Sequence, residues 1–93
     1  MQIRLSKRAH KELEKICAYI ADDKPASAKE FEEKFINYFE LIAANPQIGK
    51  ECEQKKINGK CRVVVFQKNC LIIYEVLPDR ILIRTIQNTK QFK

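Results

Sequence analysis

The sequence predicts an α+β fold in which an N-terminal antiparallel helical hairpin packs on an antiparallel β-sheet. Three observations carry this expectation. Within Lys60 to Gln87, the runs Val63-Val64-Val65-Phe66, Leu71-Ile72-Ile73-Tyr74 and Ile81-Leu82-Ile83 are apolar and β-branched, as strands are. The polar breaks between them, one with Asn69 and one with Asp79-Arg80, fall where hairpin turns belong. Ahead of them lie two stretches with apolar residues at helical spacing, joined by the short link Asp22-Asp23-Lys24-Pro25.

In order, Gln2 to Leu5 alternates as a short edge strand does, and Ser6 stands where an N-cap hydroxyl accepts a hydrogen bond from the first helical turn. The first helix places Ala9, Leu13, Ile16, Cys17, Ile20 and Ala21 on one side, with Lys7, Arg8, Lys11, Glu12, Glu14 and Lys15 on the other. Pro25 suits the first turn of a second helix, because the N–H it lacks has no intrahelical partner there. That helix is expected to run to about Ala44, with Ala28, Phe31, Phe35, Tyr38, Phe39 and Ile42 facing inward as core. Asn45-Pro46-Gln47-Ile48-Gly49-Lys50 then ends it, Pro46 being unable to continue a helix and Gly49 permitting a positive φ. A short strand is expected near Lys55 to Ile57, and Asn58-Gly59 is a turn leading into the meander.

Register follows from turn length. If Lys68-Asn69 and Asp79-Arg80 are both two-residue turns, Gln67 pairs with Cys70, Pro78 with Ile81, and Glu75 faces both Arg62 and Arg84. This ladder is a phosphate or partner site in one reading and a structural salt bridge in the other, and Glu75 between two arginines weakens their field for phosphate. The helices then cover Val63, Val65, Ile72, Tyr74, Val76 and Ile83.

A chain of 93 residues holds one domain, residues 1–93. No run approaches the roughly 20 apolar residues that cross a bilayer, and Met1 to Leu5 lacks the apolar region of a secretory signal, so a soluble, cytoplasmic protein with no membrane partner is expected. The four cysteines, Cys17, Cys52, Cys61 and Cys70, form no Cys-x-x-Cys pair and His10 is the sole histidine, so no metal site and no cofactor are expected. The cysteines read as free thiols packed as small hydrophobes. His10 falls on the rim of the first helix, as a surface or boundary residue. Residues 1–50 carry nine Lys/Arg against eight Asp/Glu, and residues 51–93 nine against four, so the sheet half is the basic half. That bias suits an acidic protein or a nucleic-acid backbone.

Several motifs taken together, Leu5-Ser6-Lys7-Arg8-Ala9, Ile16-x-x-Tyr19-Ile20-Ala21, Asn45-Pro46-x-x-Gly49-Lys50, Gly59-x-x-Arg62, Leu71 to Val76 and Ile81-x-Ile83-Arg84, resemble the RelE/ParE toxin superfamily over nearly the whole chain. The resemblance implies a helical hairpin on a curved antiparallel sheet, and a toxin of a type II toxin–antitoxin module. Its RelE-type branch cleaves messenger RNA on the ribosome; its ParE-type branch does no chemistry and inhibits DNA gyrase. Arginines that RelE-like enzymes carry fall here on Leu71 and near Gln91, which removes cationic stabilisers of a phosphoryl transition state. The likeness to the ParE-type branch is closer, through Asn45 to Cys52 and Ile72 to Val76. Where ParE-like chains end the last strand with His-x-x-Arg, this one has Gln87-Asn88-Thr89-Lys90.

The implied function is thus gyrase inhibition by binding, neutralised by a cognate antitoxin in a hetero-oligomer. The alternatives are a ribosome-dependent, metal-independent endoribonuclease acting on ribosome and mRNA, or a degenerate, non-toxic basic interaction module. An endoribonuclease draws its candidates from Lys50, Lys55, Lys56, Lys60, Arg62, Arg84 and Lys90, chiefly Lys60, Arg62, Arg84 and Lys90, with Tyr74 half-buried. The expected partner-binding set is Arg62, Glu75, Arg84, Gln87, Lys90, Phe92 and Lys93.

Overall fold

The computed structural model describes residues 2–52, 61–66 and 70–88. Its elements are β1 (Gln2–Leu5), α1 (Lys7–Asp23), α2 (Pro25–Ala44), β2 (Lys50–Cys52), β3 (Cys61–Phe66), β4 (Cys70–Val76) and β5 (Arg80–Asn88). The strands form one five-stranded sheet in the order β1-β5-β4-β3-β2. It is antiparallel from β5 to β2 and parallel only where β1 joins β5, with Ile3 opposite Ile81 and Leu5 opposite Ile83.

Ser6 fixes where sheet becomes helix. Its hydroxyl accepts from Ala9 N–H at 3.0 Å as the α1 N-cap and donates to Arg84 O at 2.8 Å, while its own N–H reaches Ile83 O at 2.9 Å. α1 continues through Asp22 and Asp23, so the break between the helices is Lys24 alone, whose N–H closes α1 on Ile20 O at 2.8 Å. Pro25 then opens α2 at its first turn.

The apolar stripes meet as expected. Ala9, Ile16, Phe35, Phe39 and Ile42 pack on Val64, Phe66, Cys70, Ile72, Tyr74, Ile81, Ile83 and Ile86, with Leu13, Ile20, Phe31 and Tyr38 at the margin. Phe66 anchors the strand side, its ring 4.5 Å from Phe35, 5.3 Å from Tyr38 and 5.6 Å from Phe31. Pairs at these separations add about 0.5–1.5 kcal/mol each beyond the area they bury.

The sheet register differs from the two-residue-turn expectation. Phe66, not Gln67, pairs with Cys70, so Arg62 lies opposite Tyr74 and Cys61 opposite Glu75. A one-residue slip turns every side chain of a strand to the other face. Val64 and Phe66 therefore enter the core of β3, while Val63 is half-buried and Val65 is 58% exposed; Val76 is also exposed. Ile72, Tyr74 and Ile83 do face the helices. Between β4 and β5 it is Val76, not Pro78, that pairs with Ile81, the turn falling at Pro78-Asp79, so Glu75 lies opposite Leu82; farther along, the register shifts at Ile73/Tyr74, with Tyr74 opposite Ile83 but Ile73 opposite Thr85, and Arg84 is the extra residue of a bulge. The edge strand after α2 is Lys50–Cys52, and the strand expected at Lys55 to Ile57 falls outside the described residues.

Glu12, expected on the outer side of α1, is turned to the sheet. Its carboxylate accepts from Thr85 Oγ1 at 2.8 Å and Ile86 N–H at 3.1 Å, with Arg8 at 3.6 Å on its far side. β1 pairs with β5 only as far as Leu5 and Ile83, so Glu12 satisfies an edge N–H, that of Ile86, which β1 has left behind. We expect Glu12→Ala to destabilise the protein by about 1–3 kcal/mol in urea unfolding, because Thr85 and Ile86 lose a charged acceptor. Glu14→Ala, which loses only the exposed His10 contact, should change stability by less than about 0.5 kcal/mol.

Candidate functional site

The end of α2, the loop behind it and the β2–β3 ribbon border an open cleft of about 900 Å³, lined by Ala44, Pro46, Ile48, Glu51, Arg62 and Val76 among others. The loop that lines it is held from beneath by Tyr74, which is fully buried rather than half-buried. From the central strand β4, the Tyr74 hydroxyl donates to Pro46 O at 2.7 Å and accepts from Gly49 N–H at 3.0 Å. Burial pushes this phenol above its ordinary range, against the lowering effects of the Gly49 hydrogen bond and the Arg62 charge, so it stays protonated and keeps donating.

Gly49 is required here by close approach. A Cβ on it would lie 2.9 Å from Tyr74 Oη and 3.0 Å from Val63 O; its φ is not in the left-handed region, so the positive φ expected from the sequence is not the reason.

Arg62 completes the clamp. Its Nη1 donates to Gly49 O at 2.7 Å and to Gln47 O at 3.4 Å, and its Nη2 lies 3.6 Å from Glu51 on β2. The guanidinium thus ties both strands of the ribbon to the loop after α2. Arg84 is on the opposite face, where its Nε pairs with Glu75 Oε1 across the bulge. The expected ladder is therefore split: Glu75 meets Arg84 on a diagonal, and Arg62 is carried to the helix-covered face by the one-residue change of register.

Glu75 is only 5% exposed although it points away from the helices. A carboxylate at that depth costs several kcal/mol unless it is paired, so Arg84 is consumed in holding it. Lys50 is exposed on β2 and Gln87 half-buried on β5. Lys55, Lys56, Lys60, Lys90, Gln91, Phe92 and Lys93 lie outside the described residues. His10 is exposed, its Nε2 at 2.8 Å from Glu14. Leu71, at a position where RelE-like enzymes carry arginine, is a half-buried residue of β4. Among the described residues there is no group of His, Cys, Asp and Glu that could hold a metal ion, and no helix is long and apolar enough to cross a membrane.

The anchoring role of the Tyr74 hydroxyl, the close approach at Gly49, the turn of Glu12 toward the sheet and a Cys52–Cys61 disulfide were not read from the sequence. A signal existed for Glu12, three residues after the buried Ala9 and hence on the margin of the inward stripe. The disulfide replaces the free-thiol expectation at two of the four cysteines. These two become neighbours only because β2 forms, and Cys17 and Cys70 remain free, with burial raising both thiols.

The same architecture occurs in a solved structure described as the chromosomal ParDE toxin–antitoxin system from P. aeruginosa. The two chains superpose with a TM-score of 0.73 at 16% identity, over 95% of each chain. Residues 3–91 match the family model of the ParE toxin of the type II toxin–antitoxin system parDE, and the chain belongs to that family. No curated protein matches it.

Two outcomes are expected from substitution. Tyr74→Phe should cost about 1–3 kcal/mol at neutral pH, since a carbonyl and an N–H lose their partner. Because burial raises the phenol's pKa, the hydroxyl's contribution is present below the ordinary value of about 10 and lost as pH climbs through the folded value. Urea midpoints of the wild type and Tyr74→Phe should therefore converge in alkali. On the other face, Arg84→Met should cost about 3 kcal/mol or more by leaving Glu75 buried and unpaired, and adding Glu75→Gln should return a large part of the loss in a double-mutant cycle.

Proposed function

We propose that this chain, a ParE-type toxin of a type II toxin–antitoxin system, acts by binding and inhibiting DNA gyrase, and that a cognate antitoxin neutralises it in a hetero-oligomeric complex. The observation that carries this reading is the employment of Arg62 and Arg84. A phosphoryl-transfer site needs cations free to meet charge that develops on the substrate. Arg62 is bonded to two backbone carbonyls and set against Glu51, and Arg84 is paired with a buried carboxylate. With one tied to carbonyls and the charge of the other offset by a carboxylate, neither is a free cation for an RNA phosphate, which favours binding over cleavage.

The antitoxin is acidic on this reading and matched to the basic half of the chain; of the expected set Arg62, Glu75, Arg84, Gln87, Lys90, Phe92 and Lys93, Arg62 lies on one face of the sheet and Arg84 on the other, with Glu75 buried beneath Arg84, so contact with both arginines requires the antitoxin to wrap around the sheet. An amphipathic antitoxin helix along the hairpin is supported by Tyr19, Ile36 and Leu41, large apolar side chains of α1 and α2 that are exposed in the isolated chain.

Purified, antitoxin-free protein should block supercoiling by gyrase while an in vitro translation reaction proceeds normally, and antitoxin should restore supercoiling. Normal supercoiling with ribosome-dependent cuts in the message would overturn the reading in favour of an endoribonuclease. Inertness in both assays would overturn it in favour of a non-toxic module.

A further inference from the structure

Cys52 and Cys61 stand directly opposite each other in the β2–β3 register, with Cα atoms 5.3 Å apart, and are joined as a disulfide. We propose that this bridge is a reversible thiol–disulfide clamp on the edge strand β2, opened and closed by exchange with a small thiol–disulfide couple such as glutathione. The inference does not depend on which target the toxin has.

Position gives the clamp its leverage. β2 is three residues long and, among the described residues, has β3 as its one neighbour, paired through Lys50–Val63, Glu51–Arg62 and Cys52–Cys61. A three-residue edge strand is weakly held by its own hydrogen bonds, whereas a covalent link at its last residue closes the chain over a separation of nine residues. What it holds in place is the cleft: Glu51 is the ion partner of Arg62, and Gly49, on which Arg62 and Tyr74 converge, immediately precedes β2.

The two sulfurs are unequal, which gives exchange a direction. Cys61 is fully buried and Cys52 is partly exposed at the sheet edge. An incoming thiolate therefore attacks Sγ of Cys52; the Cys52–Cys61 bond breaks, its electron pair leaves on Cys61 Sγ, and that sulfur takes up a proton. A second thiolate attacks the external sulfur of the mixed disulfide, releasing Cys52 as a thiol and the reductant as its own disulfide, so that two electrons have passed from two reductant thiols to the protein. The opened form also has a place for its buried thiol, because Cys61 Sγ lies 2.8 Å from Cys52 O and can donate to it. Closure is the reverse reaction, with oxidised glutathione as the electron acceptor.

The test is carried out on the whole chain in oxidised and reduced glutathione. Intact mass should differ by about 2 Da between the two, and peptide mapping should place the bridge at Cys52–Cys61. Reduction should lower the melting temperature by about 10 °C and speed hydrogen exchange at the Lys50–Cys52 amides, and reoxidation should restore both. Cys52→Ser, at a partly exposed edge position, should remain folded and show neither response, while Cys17→Ser should show both. An unchanged mass, a bridge that involves Cys17 or Cys70, or exchange at β2 that does not respond to reduction would each overturn the proposal.

Discussion

The buried hydroxyl of Tyr74 is the constraint on which the functional half of this molecule depends. It sits in the middle of the central strand, with its ring in the core and its oxygen shared between Pro46 O and Gly49 N–H. That oxygen brings the loop after α2 down onto the sheet. The approach leaves no room for a Cβ at Gly49, turns Gly49 O toward Arg62, and starts the chain along β2, where Glu51 and Cys52 meet their partners on β3. The cleft follows from one phenol in the right register.

A second irregularity organises the other face. The bulge at Arg84 lets Ile83 and Ile86 both face the helices, and it sets the guanidinium diagonally against Glu75. It falls just past the last pairing of β1, where Ser6 and Glu12 take over the exposed edge of β5. Bulges do this at sheet edges, re-aiming a side chain where pairing stops. The two arginines are thus framework groups on opposite faces of the sheet, and the chain is built as a shaped surface more than as a site open to phosphate.

Helices were legible in the sequence because their signals are local: the Ser6 cap, the Lys24-Pro25 break, and stripes such as Phe35, Phe39 and Ile42 at helical spacing. Register was not, because three residues rather than two separate Phe66 from Cys70, and nothing in Gln67-Lys68-Asn69 states which pairing wins. That single residue moved Val64 and Phe66 into the core and carried Arg62 away from Glu75. The Arg84–Glu75 contact was anticipated as a directly opposed pair and exists as a diagonal one, because the turn falls at Pro78-Asp79, with Leu77 N–H bonded to Arg80 O, and not at Asp79-Arg80. β2 was hidden by its length, and with it the meeting of Cys52 and Cys61.

Whether Arg62 and Arg84 are committed to the framework, and so not free to meet phosphate, is decided by following the Arg62 Nη–H and Arg84 Nε–H resonances while the chain is titrated with a short single-stranded RNA. Slow exchange of both protons with solvent, and positions that stay fixed as RNA is added, are the predicted result. Saturable shifts of both resonances together would contradict the claim and put the arginines back at the centre of a nucleic-acid site.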